Sequence, residues 1–223
     1  MGSGSSGLNT RFHLTTEDII NECGPDSHIK EKYILVTGAT SGIEIETGRA
    51  LACAGARVYL MGRDETKLQG VLQSINNELK EKKSTGSVQS VICDLNSLAS
   101  VKQCAQKFTS DKLPLNVLIL NAGLVNTRFT QTVDGLEQVM GVYHIAQVYL
   151  TKLLMPILIA NRPSRVVVVV SSGVHVGQTL HYKVLDRMNS KENCAKKSWG
   201  MQSRYGKSKL ANVLYARAPC TSI

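Results

Sequence analysis

The sequence predicts an α/β fold, a doubly wound parallel sheet with helices on both faces. Three observations predict it. Short apolar runs alternate with longer amphipathic segments along most of the chain. A glycine-rich turn, Thr37-Gly-Ala-Thr-Ser-Gly42, joins the first run to the first long helical segment. Positions 166–170 are all valine, the β-branched continuity of a strand buried on both faces of a parallel sheet. A length of 223 residues suits one such domain, and 43% hydrophobic with 19% charged residues argues against a disordered chain or a membrane bundle.

Taken in order, residues 1–29 read as a flexible leader that opens on a Gly/Ser-rich stretch. The first strand is 33–37 and the following helix roughly 43–54. Strand 57–61 leads to a helix over 64–82 with a charged face, and strand 88–93 to a helix over 97–109. Strand 116–120 precedes a long helical region, roughly 134–160. Strand 165–171 follows, and 203–216 forms the last helix. The polar, basic segment 176–202 reads as irregular. The domain spans 30–217, with 218–223 outside the pattern.

The six cysteines form no C-x-x-C pair and no histidine pair accompanies them, so no metal site is expected. No secretory signal opens the chain, and the cysteines read as reduced thiols of a cytoplasmic protein. The apolar stretch 145–160 is shorter than a bilayer span and carries Lys152 and Pro156, so a transmembrane segment is not expected; peripheral membrane contact stays open. The net charge is +9. Much of it lies in Lys183, Arg187, Lys191, Lys196, Lys197, Arg204, Lys207 and Lys209, opposed by Asp186 and Glu192. Aromatics are sparse there (Tyr182, Trp199 and Tyr205), so the tract reads as a solvated loop before the last helix and not as a nucleic-acid surface.

The glycine-rich turn carries the first chemistry. Between a strand and a helix, it turns backbone N–H groups and a helix N-terminus toward a pyrophosphate. The second strand ends at Gly62-Arg63-Asp64, where a ribose-reading group belongs. An arginine suits a 2′-phosphate, which favours NADP(H) over NAD(H). The alternative is that Arg63 is a solvated loop charge and Asp64 caps the next helix.

Together, Thr37-Gly38-x-x-x-Gly42, Asp94-Leu95, Asn121-Ala122-Gly123, Ser171-Ser172 and Tyr205-x-x-x-Lys209 resemble the short-chain dehydrogenase/reductase family over roughly residues 30–217. The run through Glu46-Thr47, Gly55-Ala-x-Val58, Arg63 and the Ser-Lys-Leu-Ala-Asn-Val-Leu segment is similar to the branch holding retinol dehydrogenases and the WW-domain-containing oxidoreductase.

The resemblance implies a Rossmann-type sheet and hydride transfer between NADP(H) and a lipophilic, retinoid- or steroid-like alcohol or carbonyl. It implies Tyr205 as acid/base, Lys209 as the cation that assists it and holds the nicotinamide ribose, and Ser172 as the group polarising the substrate oxygen. Gly38, Ser41, Gly42 and Ile43 would form the cofactor turn. Asp94 and Leu95 would meet the adenine, and Asn121, Ala122 and Gly123 would line the cofactor, as would Tyr205 and Lys209. A homodimer through the long helix and the Tyr205 helix is the family's pattern.

Three departures stand against that pattern. Glu44 replaces the turn's third glycine, and its charge would repel a pyrophosphate. Tyr143 replaces an asparagine that holds a water in the proton relay, and a phenol cannot supply the amide; the neighbouring His144 reads as a packed structural residue. The sequence ends at Ile223, where the family continues with a sixth strand, a Pro-Gly loop, a lid and a seventh strand, so the expected sheet is C-terminally truncated and the valine strand's edge is bare. These departures support an alternative: an impaired relic of the fold that serves as a binding or regulatory module.

Overall fold

The alternating runs become five parallel strands: β1 (Tyr33–Thr37), β2 (Arg57–Gly62), β3 (Ser87–Ile92), β4 (Val117–Leu120) and β5 (Arg165–Val168). This computed structural model describes residues 14–22, 28–123, 128–177, 180, 183–192 and 200–218. The sheet order is β3-β2-β1-β4-β5. The order reverses at β1, so the connections leaving the C-terminal ends of β1 and β4 part around a crevice, the position where doubly wound sheets bind ligands.

Strand β1 shows why the sheet is sandwiched. Ile34 and Val36 point into one core, where α3 (Glu65–Glu81) lays down Leu68, Leu72, Ile75 and Leu79. Leu35 points into the other. There it meets a cluster holding Val101, Ala105 and Phe108 of α4 (Leu98–Ser110) and Leu150, Leu154 and Leu158 of α5 (Gln138–Ala160). A strand apolar on successive residues needs a helix layer on each face, and the βαβ crossovers supply them. The remaining helices are α1 (Thr16–Glu22), α2 (Gly42–Cys53), α6 (Val174–Gly177), α7 (Val184–Met188) and α8 (Met201–Arg217).

The expected elements are present, with four differences. First, β5 is shorter than 165–171 and is not buried on both faces: Arg165 and Val167 are exposed while Val166 and Val168 pack on the core. Among the described residues β5 pairs only with β4, and an edge strand has fewer layers to cover it. Second, part of the expected flexible leader is the helix α1. It is docked by charge: Thr16 donates to Glu46, and Glu17 meets Arg49 and Lys82.

Third, α5 begins at Gln138, within the expected helical region of roughly 134–160 and later than its expected start. Its 23 residues are long and apolar enough to cross a membrane by length and composition, yet one face lies in the core against the sheet. Its first part holds a π-helical turn over Gly141–Ile145. Fourth, the segment read as irregular contains α6 and α7, and two cations counted into a solvated tract, Arg204 and Lys209, are buried. Tyr182, Lys196, Lys197 and Trp199 lie outside the described residues.

Candidate active site

The crevice is built from the tips of β1 and β4. Gly38 follows β1 with φ +85°, a conformation L side chains avoid, and a Cβ there would fall 2.7 Å from the Ala122 Cα. Only glycine lets the two tips approach so closely. Thr37 locks them: its buried Oγ1 accepts the backbone N–H groups of Asn121 and Ala122, each at 3.0 Å. Ser41 precedes α2 with extended backbone and no side-chain cap, and Ile43 on the first turn is 76% exposed. The start of α2 therefore faces outward over the crevice.

A cleft of about 300 Å³ runs from this turn across the ends of β2 and β3. Of the residues expected at a cofactor, Gly38, Ser41, Arg63, Asp94, Leu95, Ala122 and Gly123 line it, and Gly42, Ile43 and Asn121 adjoin them in the chain. Lys67, which the sequence did not single out, lines it too. Asp64 caps α3 by accepting the Lys67 N–H at 3.0 Å, so the capping alternative holds for Asp64 while Arg63 remains on the cleft. Asp94 is held in its turn by accepting from Asn96 N–H and by donating its own N–H to Ser100 Oγ, both at 3.0 Å.

Tyr205 and Lys209 share one face of α8, four residues apart. Lys209 is 4% exposed. Its Nζ donates to the Val169 carbonyl at 3.1 Å and stands 5.8 Å from the centre of the Tyr205 ring. Burial pushes its pKa down, and the Glu44 charge acts in the opposite sense. The segment after β5 lies against the Tyr205 ring: a Cβ at Gly173 would come within 2.8 Å of Cε1. Ser172, next to Gly173, is exposed, whereas Ser171 turns its Oγ inward to accept the Gly173 N–H at 3.2 Å. That leaves Ser172 as the outward-facing hydroxyl of the pair.

Residues 32–182 match the family model for short chain dehydrogenases. The chain belongs to the short-chain dehydrogenase family. It is 34% identical over 197 residues to human retinol dehydrogenase 11, covering 87% of this chain and 57% of that protein. It is 35% identical over 185 residues to the WW domain-containing oxidoreductase of Gallus gallus, covering 83% and 44%. The chain spans about half the length of these curated relatives. Among solved structures, a short chain dehydrogenase from Shigella flexneri complexed with NADP superposes with TM-score 0.59 at 28% identity, covering 82% of this chain and 67% of that one. An oxidoreductase from E. coli gives 0.59 at 29%, covering 82% and 66%.

One of this short-chain dehydrogenase's departures, Tyr143, sits beside Tyr205. The Tyr143 ring is buried against Gly123, where a Cβ would come within 2.8 Å of its hydroxyl oxygen, and it meets the Tyr205 ring edge-on at 5.5 Å between centres. The carbonyl of Tyr143, loosened by the π-helical turn, accepts from Gln147 Nε2 and Asn212 Nδ2, each at 3.1 Å. Asn212 Oδ1 lies 2.8 Å from His144 Nδ1, and burial pushes the His144 pKa down. His144 thus has the packing role expected of it.

Glu44 folds back over the turn. Its Oε2 lies 3.2 Å from the place of a Cβ on Gly42, and its carboxylate accepts its own backbone N–H at the start of α2. Burial pushes its pKa up, against the pull of the Lys209 charge.

The sequence reading passed over four residues. Gln147 also donates to the carbonyls of Ala122 and Val142, stapling the crevice to α5; its only signal is a lone amide in an apolar run. Asn212 lies within the Ser-Lys-Leu-Ala-Asn run that carries the resemblance. Glu137 and Arg204 form a buried pair with Nε–Oε1 at 3.2 Å, an ion-pair contact in which the N–H is not aimed at the oxygen. Glu137 further accepts the Met140 N–H, and Arg204 donates to the Arg128 carbonyl at 3.3 Å.

Proposed function

We propose that the chain binds NADP(H) and serves hydride transfer between its nicotinamide and a lipophilic alcohol or carbonyl. The observation that carries this reading is the single cleft whose one end presents Arg63 and Lys67 and whose other end, at Gly123, meets the Tyr143 ring packed on Tyr205 and Lys209. The residues at the adenosine end fit the group. Asp94 and Leu95 suit an adenine, and two cations suit a 2′-phosphate, which an acid at the strand tip would repel. The glycine turn permits the backbone approach a pyrophosphate needs. The names of relatives, two of them retinol dehydrogenases, support a lipophilic substrate.

When bound, the nicotinamide supplies the hydride acceptor or donor. The chain's own residues handle the proton. Tyr205 Oη gives a proton to a substrate oxygen in reduction or takes one in oxidation. Lys209, whose ammonium lies 5.8 Å from the centre of the Tyr205 ring, supplies the cation beside the transfer. Ser172 hydroxyl orients the substrate oxygen.

A second reading has its own observation. Glu44 crowds the glycine turn and Tyr143 crowds Gly123, while the adenosine half stays open, which suits a nucleotide-binding module without turnover. Calorimetric titration of NADPH and NADH, followed by assay with a retinoid aldehyde, separates the two. Tighter NADPH binding with turnover is the expected result. Binding without turnover establishes the second reading, and no binding of either cofactor at millimolar concentration overturns both.

A further inference from the structure

The Glu44 carboxylate is poorly explained by the helix it sits on. A glutamate in the first turn is favourable to a helix dipole wherever it points. Here it does not extend into solvent. It curls over Gly42, accepts its own N–H, and becomes partly buried at the expense of its charged form. Ser41, the residue before the helix, contributes no side-chain cap, so the Glu44 carboxylate is the anion nearest the start of α2. The Lys209 ammonium, buried on α8, carries the charge that pulls against the rise in the Glu44 pKa. Arg49, the cation on α2 itself, is turned away into ion pairs with Glu17, Glu46 and Glu78.

We propose that Glu44 is a resident anion at the mouth of the cleft, folded over Gly42 next to the cleft-lining Ser41 where a dinucleotide's pyrophosphate belongs, and that it biases the site toward the adenosine 2′-phosphate half over the whole dinucleotide. This rests on the NADP(H) reading and adds a selectivity to it. A bound pyrophosphate must displace the carboxylate from over Gly42 and then stand beside it, like charge to like charge. Adenosine 2′-phosphate reaches only Arg63, Lys67, Asp94 and Leu95 and leaves Glu44 undisturbed. The two ligands therefore respond differently to the same side chain.

The test uses adenosine 2′-phosphate and NADPH as probes against the unaltered chain, Glu44→Gln and Glu44→Gly, by calorimetry, with a thermal melt confirming that each is folded. Glu44→Gln preserves size and removes charge, so it decides the matter if the glycine variant folds poorly. The expected result is that NADPH tightens about tenfold or more in the variants while adenosine 2′-phosphate stays within about twofold. NADPH binding all three proteins equally overturns the inference and leaves the NADP(H) reading standing. Equal tightening of both probes also overturns it, because the effect is then not confined to the pyrophosphate seat. Failure of both probes on every protein overturns the NADP(H) reading itself and the inference with it.

Discussion

The Lys209 ammonium stands 4.7 Å from the centre of the Tyr143 ring. A cation over an aromatic face is stabilised by the ring quadrupole, by about 2 kcal/mol when desolvated. The ring thus competes for the charge that the family's chemistry assigns to the proton relay and the nicotinamide ribose. Replacing Tyr143 with asparagine frees the ammonium and clears the face of Gly123. The expected outcome is a lower KM for NADPH and a higher kcat in a retinoid aldehyde assay. Loss of the buried ring costs roughly 2–4 kcal/mol in a urea melt. Unchanged kinetics in a folded variant would show that the ring does not obstruct the site.

Arg63 lines the cleft at its adenosine end. A charge-assisted hydrogen bond to a phosphate contributes about 1.5–3 kcal/mol. Arg63→Ala is expected to weaken NADPH roughly tenfold to a hundredfold while leaving NADH nearly unchanged. Equal losses for the two cofactors would remove Arg63 from the 2′-phosphate and return it to the solvent.

The Glu44 carboxyl gives a pH dependence with a definite sign. Burial raises its pKa, and its own backbone N–H and the charge of Lys209 on α8 limit the rise. Above that raised pKa the carboxylate is charged and Glu44→Gln binds NADPH more tightly than the unaltered chain. As pH falls through it, Glu44 takes up a proton and the two affinities converge. The 2′-phosphate titrates in both proteins and cancels in their ratio. Measuring that ratio from about pH 8 to about pH 5 checks the claim; a constant ratio refutes it.

The Glu137–Arg204 pair is 1% and 2% exposed in its two side chains. Removing one partner strands a buried charge, so Arg204→Met is expected to cost about 3–5 kcal/mol in urea unfolding. The double variant Glu137→Met/Arg204→Met should recover most of that loss, because it removes both desolvated charges at once. A cost under about 1 kcal/mol for the single change would mean that water or another group compensates the stranded carboxylate.

These residues mark how far the sequence could be read. The strands and most helices follow from local patterning: β1 is apolar from Ile34 to Val36, and α3 places Leu68, Leu72, Ile75 and Leu79 on one stripe. The valine run at 166–170 announces a strand, and the departure at the end of the family pattern foretold its bare edge, but the run carries no information about what covers its faces, and so the exposure of Val167 was not legible. Nor was α1, since surface ion pairs between Glu17, Arg49 and Lys82 join residues far apart in the chain. At the site, motif residues such as Gly38, Asp94, Tyr205 and Lys209 were legible because each follows a strand tip or shares a helix face. Arg204 and Glu137 were not: a charge in a polar tract looks solvated until tertiary packing closes over it.

Val169 continues the ladder one residue past β5. Its N–H donates to the Leu120 carbonyl at 3.0 Å, and its own carbonyl receives the Lys209 ammonium at 3.1 Å. The sheet is therefore a ruler for the charge. A slip of one residue between β4 and β5 would shift the carbonyl that anchors Lys209 by about 3.3 Å, more than the length of the hydrogen bond itself. Strand registry at the edge of the sheet and the placement of the cation beside Tyr205 are one measurement, made twice.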